Sequence, residues 1–145
     1  MLALVDELRE IESRAETLSE RRRPRFEQRG QLTPRERLAQ LLDPGMPFLE
    51  LYNLANFQVD DPDRASSIPG ASTIVGIGFV SSVRCMVMVD DSGISAGAMK
   101  KKSLDKALGS LKVALRQKLP FIQLVESAGA NLMDYKVEMW MEGGT

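Results

Sequence analysis

The residues best placed for chemistry lie late in the chain, where the apolar run Phe121-Ile122-Gln123-Leu124-Val125 empties into Glu126-Ser127-Ala128-Gly129-Ala130-Asn131-Leu132. Small residues at the end of a buried strand let a ligand approach the backbone closely. Two free backbone N–H groups there can hold a developing oxyanion. Few other groups compete for the role. The 145 residues include no histidine and one cysteine. A Ser-His-Asp triad, a Cys-His pair and a His-ligated zinc are therefore excluded within the chain. A proton acceptor must be a carboxylate, a lysine, a tyrosine, or a group on a cofactor or partner.

A second candidate is Asp91-Ser92-Gly93-Ile94-Ser95-Ala96-Gly97-Ala98, followed by Lys100-Lys101-Lys102. A loop of small residues leading to a lysine-rich helix start is a candidate anion site. A plain turn with a solvated basic start fits the same pattern. A third is the basic cluster Arg21-Arg22-Arg23-Pro24-Arg25 with Arg29. It reads as a solvated face or linker, or as a contact for ligand phosphates. Nucleic acid is the weakest reading, because only Phe26 supplies an aromatic ring there. Asp90 and Asp91 are neighbours, so on an extended backbone they face opposite ways and make a poor acid/base couple. Asp60, Asp61 and Asp63 do not have the spacing of an EF-hand, and no metal is expected. Gly76-Ile77-Gly78 lies inside a strand with Ser81 where a third glycine belongs, so it is read as close packing and not as a dinucleotide fingerprint.

The elements that must position these residues follow from periodicity. Residues 2–22 carry Leu4, Leu8, Ile11, Ala15 and Leu18 at helical spacing, a narrow apolar stripe. Thr33-Pro34-Arg35-Glu36 is a capping box with proline at the first helical position. Leu38, Leu41 and Leu42 form the buried face of that helix, and Asp43-Pro44-Gly45 ends it. Phe48–Leu51 is a short strand, and residues 56–70 form a turn-rich loop. Ser72–Val80 and Arg84–Val89 are strands joined by a Ser81-Ser82 hairpin turn. A helix begins near Ser103, with Leu104, Ala107, Leu108, Leu111, Ala114 and Leu115 along one side. Phe121–Glu126 is the next strand. Asp134–Glu142 starts another helix with Met133, Val137, Trp140 and Met141 on its apolar side.

Composition sets the class. An apolar fraction of 43%, a charged fraction of 27% and a net charge of −1 describe a soluble globular chain with no field favouring nucleic acid or an anionic membrane. No apolar run reaches the roughly 20 residues of a membrane span, and Met1-Leu2-Ala3-Leu4-Val5-Asp6-Glu7 shows no signal or transit pattern. Cys85 alone cannot form an internal disulfide, which fits a reducing compartment; it reads as a small buried hydrophobe. The expected location is cytoplasmic, or the mitochondrial matrix in a eukaryote.

Read in order, several motifs resemble a known pattern. They are Arg29-Gly30-Gln31-Leu32-Thr33-Pro34-Arg35-Glu36-Arg37, Leu41-Leu42-Asp43-Pro44-Gly45, Pro69-Gly70-Ala71 before Val75-Gly76-Ile77-Gly78, the Asp91–Ala98 loop, and Arg116-Gln117-Lys118-Leu119-Pro120 before Leu124–Leu132. Together they resemble the N-terminal half of the carboxyltransferase (beta) subunit of biotin-dependent acyl-CoA carboxylases, the family of propionyl-, methylcrotonyl-, geranyl- and acetyl-CoA carboxylases. The resemblance implies an α/β (α+β) crotonase-like fold of ββα units with a leading helix. It divides the chain into a helical, basic segment, 1–28, and a partial carboxyltransferase domain, 29–145.

The resemblance also implies a reaction. Carboxylate passes from carboxybiotin, on a separate carrier domain, to the α-carbon of an acyl-CoA through an oxyanion-stabilised enolate. The family's Gly-Gly-type oxyanion pair maps to the backbone of Ala128 and Gly129, with Ala130 next. Its Gly-rich acyl-CoA segment maps to Gly93, Ser95, Ala96, Gly97 and Ala98, with Ser95-Ala96-Gly97 where Lys-Gly-Gly is usual. Lys100 and Lys101 would meet CoA phosphates. Partners implied are a biotin carboxylase and biotin carrier subunit and further carboxyltransferase subunits in an oligomer. Family subunits carry two such domains, so a chain ending part-way through the first is expected to be inactive alone. A biotin-dependent acyl-CoA decarboxylase uses the same fold, and a non-catalytic module docking through Leu4–Leu18 or the last helix is the reading from a different class.

Overall fold

The computed structural model describes residues 1–98 and 100–127; Ala128, Gly129, Ala130 and the expected helix over Asp134–Glu142 lie outside the described residues. Three helices come first: α1 (Leu2–Glu20), α2 (Arg23–Gln28) and α3 (Pro34–Leu41). The strands are β1 (Leu49–Glu50), β2 (Thr73–Val80), β3 (Val83–Asp90) and β4 (Phe121–Leu124), and α4 (Lys101–Gln117) connects β3 to β4. The sheet order is β1-β2-β3-β4. β1 and β3 run antiparallel to β2, and β4 runs parallel to β3. β2, β3 and α4 thus make one ββα unit.

Both faces of this sheet are covered, which is why β3 reads as an almost unbroken apolar run. Side chains alternate across the sheet. Ile74, Cys85, Val87 and Val89 pack beneath Leu38 of α3. Val75, Met86 and Met88 pack against Ala114 of α4. Cys85 is buried, as its sequence context predicts. The strand glycines make room on the α3 side. A Cβ at Gly76 would sit 2.3 Å from the Phe48 ring, and one at Gly78 would sit 2.6 Å from Leu42.

Local signals are realised closely in α3 and at the hairpin. The Glu36 amide donates to Thr33 Oγ1 (3.3 Å), and the Thr33 amide donates to Glu36 Oε2 (2.8 Å), closing the capping box. Ser81 and Ser82 both have positive φ, 50° and 65°. A two-residue hairpin turn of this hand normally takes Asn-Gly. Here the Asp43 carboxylate accepts both turn amides, at 2.8 and 2.6 Å, and offsets the strain.

Three expectations need correction. The basic stretch after α1 is not a linker: Arg23–Gln28 is helical, and its Phe26 is buried. The α1 stripe packs only from Ile11 onward, with Ile11 buried and Ala15 and Leu18 half-buried, while Leu4 and Leu8 face solvent. The inward face of α4 is also different. Ser103, Lys106, Ser110 and Ala114 are buried, whereas Leu108, Leu111 and Leu115 (81% accessible) are exposed. The reason is the polar start of β2. Lys106 Nζ donates to the carbonyls of Gly70 (3.0 Å) and Thr73 (2.6 Å), and Ser103 Oγ lies 2.9 Å from Ser72 Oγ. Buried carbonyls need donors more than the leucines need cover.

Burial pushes Lys106 down from 10.5 to about 8. A neutral amine still has the two N–H donors its two carbonyl partners require. The folded state therefore binds this proton less tightly than the unfolded chain, and stability rises as pH climbs from about 8 towards 10.5. We expect the wild-type chain to gain on the order of 3 kcal/mol relative to Lys106→Met across that window. Urea unfolding of both proteins at the two ends of the window measures the difference; parallel stabilities would show that Lys106 keeps its ordinary affinity for the proton.

Candidate functional site

The loop after β3 and the exit of β4 are built as one piece. Asp90 and Asp91, buried neighbours, point to different partners. Asp90 Oδ2 accepts the Glu126 amide at 3.1 Å. Asp91 Oδ1 accepts from Ser19 Oγ (2.8 Å) and from the Gly93 amide (2.9 Å), which ties the loop to α1. Burial pushes the Asp91 carboxyl up, against these two bonds and the nearby Arg35 and Arg37. Both aspartates are anchors, consistent with their poor suitability as an acid/base couple.

Beyond Gly93 the backbone makes a tight turn in which Ser95, Ala96 and Gly97 all have positive φ, 49°, 53° and 72°. Only glycine takes this conformation without cost. The turn carries Gly97 onto the β4 exit. A Cβ there would lie 2.8 Å from the Glu126 carbonyl oxygen and 3.4 Å from Ser127 Cα. Ser127 Oγ donates to the Gly97 carbonyl (2.9 Å), and Ser92 Oγ donates to Glu126 Oε1 (2.6 Å). The two segments singled out separately in the sequence thus meet in space, up to Ser127.

A third segment joins them. Arg22, Arg25 and Arg29 stand over Ser92, Gly93, Ser95 and Ala96 and enclose with them a cavity of about 260 Å³ floored by Phe26. Arg23 is held by Glu20 and Glu36, at 2.8 and 2.6 Å, and is taken out of play. Among the described residues Arg22, Arg25 and Arg29 have no ion-pair partner. The cavity is therefore positive, which suits a phosphate-bearing ligand.

The lysines lie elsewhere. Lys100 pairs with Asp60 at 2.9 Å, and Lys101 faces Asp105 at 3.5 Å. Lys100 and Ala98 line a small adjoining cavity of about 20 Å³ with Asn56. The arginines were visible in the sequence only as a cluster. Their spacing, 22, 25 and 29, puts them on one helical face once Arg23–Gln28 is recognised as a helix. Ala128, Gly129 and Ala130 lie just past the last described residue.

The turn supplies a direct test of the loop's strain. Ala96→Gly should stabilise the fold by about 1 kcal/mol, because it removes a left-handed alanine. Gly97→Ala should cost about 1–3 kcal/mol, because it adds a left-handed Cβ against Glu126. Denaturant midpoints of the two variants report both; equal midpoints would show that the turn relaxes freely.

Known proteins resemble this chain in sequence and fold. The family model for the carboxyl transferase domain matches residues 25–144. A probable biotin-dependent acyl-coenzyme A carboxylase beta2 subunit of Mycobacterium tuberculosis is 42% identical over 124 residues, 83% of this chain and 21% of that protein. The biotin-dependent 3-methylcrotonyl-coenzyme A carboxylase beta1 subunit of the same organism is 43% identical over 114 residues, 79% of this chain and 21% of that protein. The crystal structure of the Pseudomonas aeruginosa geranyl-CoA carboxylase beta subunit superimposes with a TM-score of 0.87 at 44% identity, covering 99% of this chain and 26% of that one. The chain spans about a fifth of the curated relatives and a quarter of the solved one. With a crotonase-like fold and a family match over most of its length, the chain belongs to the carboxyl transferase domain family.

Proposed function

We propose that this chain forms the acyl-CoA-binding face of the carboxyltransferase of a biotin-dependent acyl-CoA carboxylase. The observation that carries the reading is the convergence of the arginine cavity, the left-handed loop and the β4 exit. Arg22, Arg25 and Arg29 hold the phosphates of coenzyme A. Gly93, Ser95, Ala96, Gly97 and Ala98 offer a wall of backbone along which the thin pantetheine arm runs. Lys100 and Lys101 would have to leave Asp60 and Asp105 to meet a phosphate. The amides of Ala128 and Gly129, with Ala130 next, receive the thioester oxygen as the α-carbon loses its proton. Carboxybiotin, on a separate carrier, supplies the carboxyl group and the acceptor for that proton. No described residue is assigned to hold it.

The absence of histidine fits this division of labour. The protein's part is to fix charge and geometry, and amides do that without a titrating side chain. Domain limits of 1–28 and 29–145 belong to the same reading, although Arg22 and Arg25 place part of the first segment at the ligand. So do a biotin carboxylase and carrier as partners, further carboxyltransferase subunits as the assembly, and the cytoplasm or mitochondrial matrix as the location. Among the described residues no helix is long and apolar enough to cross a membrane. The decarboxylase reading has one weaker support, 28% identity over 110 residues to the methylmalonyl-CoA decarboxylase subunit alpha of Propionigenium modestum.

Isothermal titration with acetyl-CoA and with the acetyl thioester of pantetheine tests the reading. Replacing Arg25 or Arg29 by Gln should weaken acetyl-CoA about tenfold each, the loss of one charge-assisted contact. The pantetheine thioester, which lacks the phosphates, should be indifferent to both changes. Equal affinity of wild type and an Arg22→Gln/Arg25→Gln/Arg29→Gln variant for acetyl-CoA would dismiss the cavity as the CoA site. We also expect the purified 145-residue chain, given carboxybiotin and an acyl-CoA, to form no carboxylated product, and product formation would overturn that part of the reading.

A further inference from the structure

On the α4 side, the sheet is not covered to its edge. Ile77 and Phe79 of β2 remain only half-buried, whereas Val75 and Met86 are sealed beneath the helix. Phe79 pairs with Arg84 and Ile77 with Met86 across the β2–β3 ladder, so these four side chains share one face. Leu49 and Leu51 at the sheet edge and Val113 of α4 close the sides of an apolar groove of about 620 Å³. Small-molecule sites usually enclose ~300–1,000 Å³. Tyr52 adds to one wall in a strained conformation. Its φ is 58°, a value that a bulky residue avoids. The ring lies against the backbone of α4 at Gly109, where a Cβ would sit 2.9 Å from Tyr52 Oη. Strain held in place beside a concave surface is a recurrent mark of ligand clamps.

The groove is polar at one end. Arg84 lies at the start of β3, and Gln117 closes α4. The crossover returns the helix to that same edge of the sheet, where Phe121 of β4 pairs with Met86. Among the described residues Arg84 has no ion-pair partner. An apolar trough with a free guanidinium and a carboxamide at one mouth is complementary to an alkyl chain with an anionic head. We propose that this groove binds an amphipathic carboxylate, its chain lying along Leu49, Ile77, Phe79 and Val113 and its head group at Arg84. The site is separate from the arginine cavity. Arg84 and Ser92 stand at opposite ends of β3, roughly 25 Å apart at about 3.3 Å per residue. The inference therefore does not depend on the acyl-CoA reading of that cavity.

The test is a methyl-NMR titration of the 145-residue chain with octanoate and with 1-octanol. Octanoate should shift the Ile77 and Val113 methyl resonances saturably. Arg84→Gln should weaken octanoate about fivefold, the effect of one exposed charge contact, and leave 1-octanol unchanged. Leu49→Glu, which puts a carboxylate into the apolar wall, should weaken both ligands by about tenfold. Arg84 and Leu49 are both exposed, so the two variants should fold, and methyl resonances remote from the groove should keep their positions. No saturable shift in the wild-type chain overturns the proposal, and so does an octanoate affinity left unchanged by one or both substitutions. Sedimentation gives a third way to overturn it. If the wild-type chain self-associates and Leu49→Glu dissociates it, the groove is an interface between two copies and not a ligand site.

Discussion

The parallel pairing of β3 with β4 is the constraint from which the site follows. Parallel neighbours cannot be joined by a tight turn, so a crossover must carry the chain back along the sheet, and α4 does so. Both strands then end at the same edge. The segment leaving β3 and the segment leaving β4 emerge side by side, and a crevice outside the carboxyl ends of parallel strands is where α/β sheets habitually bind ligands. Every contact between the loop and the strand exit, from Ser92 with Glu126 to Gly97 with Ser127, depends on that shared edge. An antiparallel β4 would send its C-terminal end to the far side of the sheet.

The buried charges follow the same geometry. Where β2 begins, the backbone turns out of its ladder and leaves carbonyls facing α4, and Lys106 answers them. Arg35 of α3 grips Glu50 of β1 through two bonds of 2.6 and 3.0 Å, which fixes the helix over the sheet. Two residues along the same helix, Arg37 reaches the strand ends. Fixed ions of this kind cost desolvation and contribute little net stability compared with apolar packing. Their value is in setting where elements sit, and here they cluster around the starts and ends of the strands that frame the cavity.

How much of this was legible in the sequence depended on whether the signal was local. The Thr33–Glu36 box, the Ser81-Ser82 turn and the β-branched runs of β2 and β3 are written in neighbouring residues, and the structure bears them out. The glycines at 76 and 78 were readable as close packing, though not as the slots for Phe48 and Leu42. The face of α4 was legible only in part: Ala107 and Ala114 pack on the sheet, but hydrophobic periodicity assumes that a helix buries its leucines too. The carbonyls of Gly70 and Thr73, more than 30 residues away, selected the lysine and serine face instead. The arginine cavity was half visible. A run of basic residues is ambiguous until the helix that orders them is known, and α2 carries a proline and too few residues for periodicity to show. The contacts of Glu126 left no pattern at all, since Arg37, the Asp90–Ser92 segment and Glu126 come from three parts of the chain.

The turn at Ser95-Ala96-Gly97 shows what a family resemblance transmits. Where the resemblance implies Lys-Gly-Gly, this chain has Ser-Ala-Gly, and its backbone runs through three consecutive left-handed residues. Two of them pay a steric cost that glycine would avoid. A conformation kept at a cost must be over-determined by its surroundings. The surroundings here are specific: Asp91 holds the Gly93 amide, Ser72 Oγ donates to the Ala98 carbonyl, and Gly97 is pressed against Glu126 and Ser127. What these contacts hold is the path of the backbone past the β4 exit. A positive charge lost from the loop itself matters less when Arg22, Arg25 and Arg29 face the same cavity from α2 and its flanks. How those arginines face the loop depends on how the basic helix is docked onto it, and that docking is set by the burial of Phe26 and by the bond from Ser19 to Asp91.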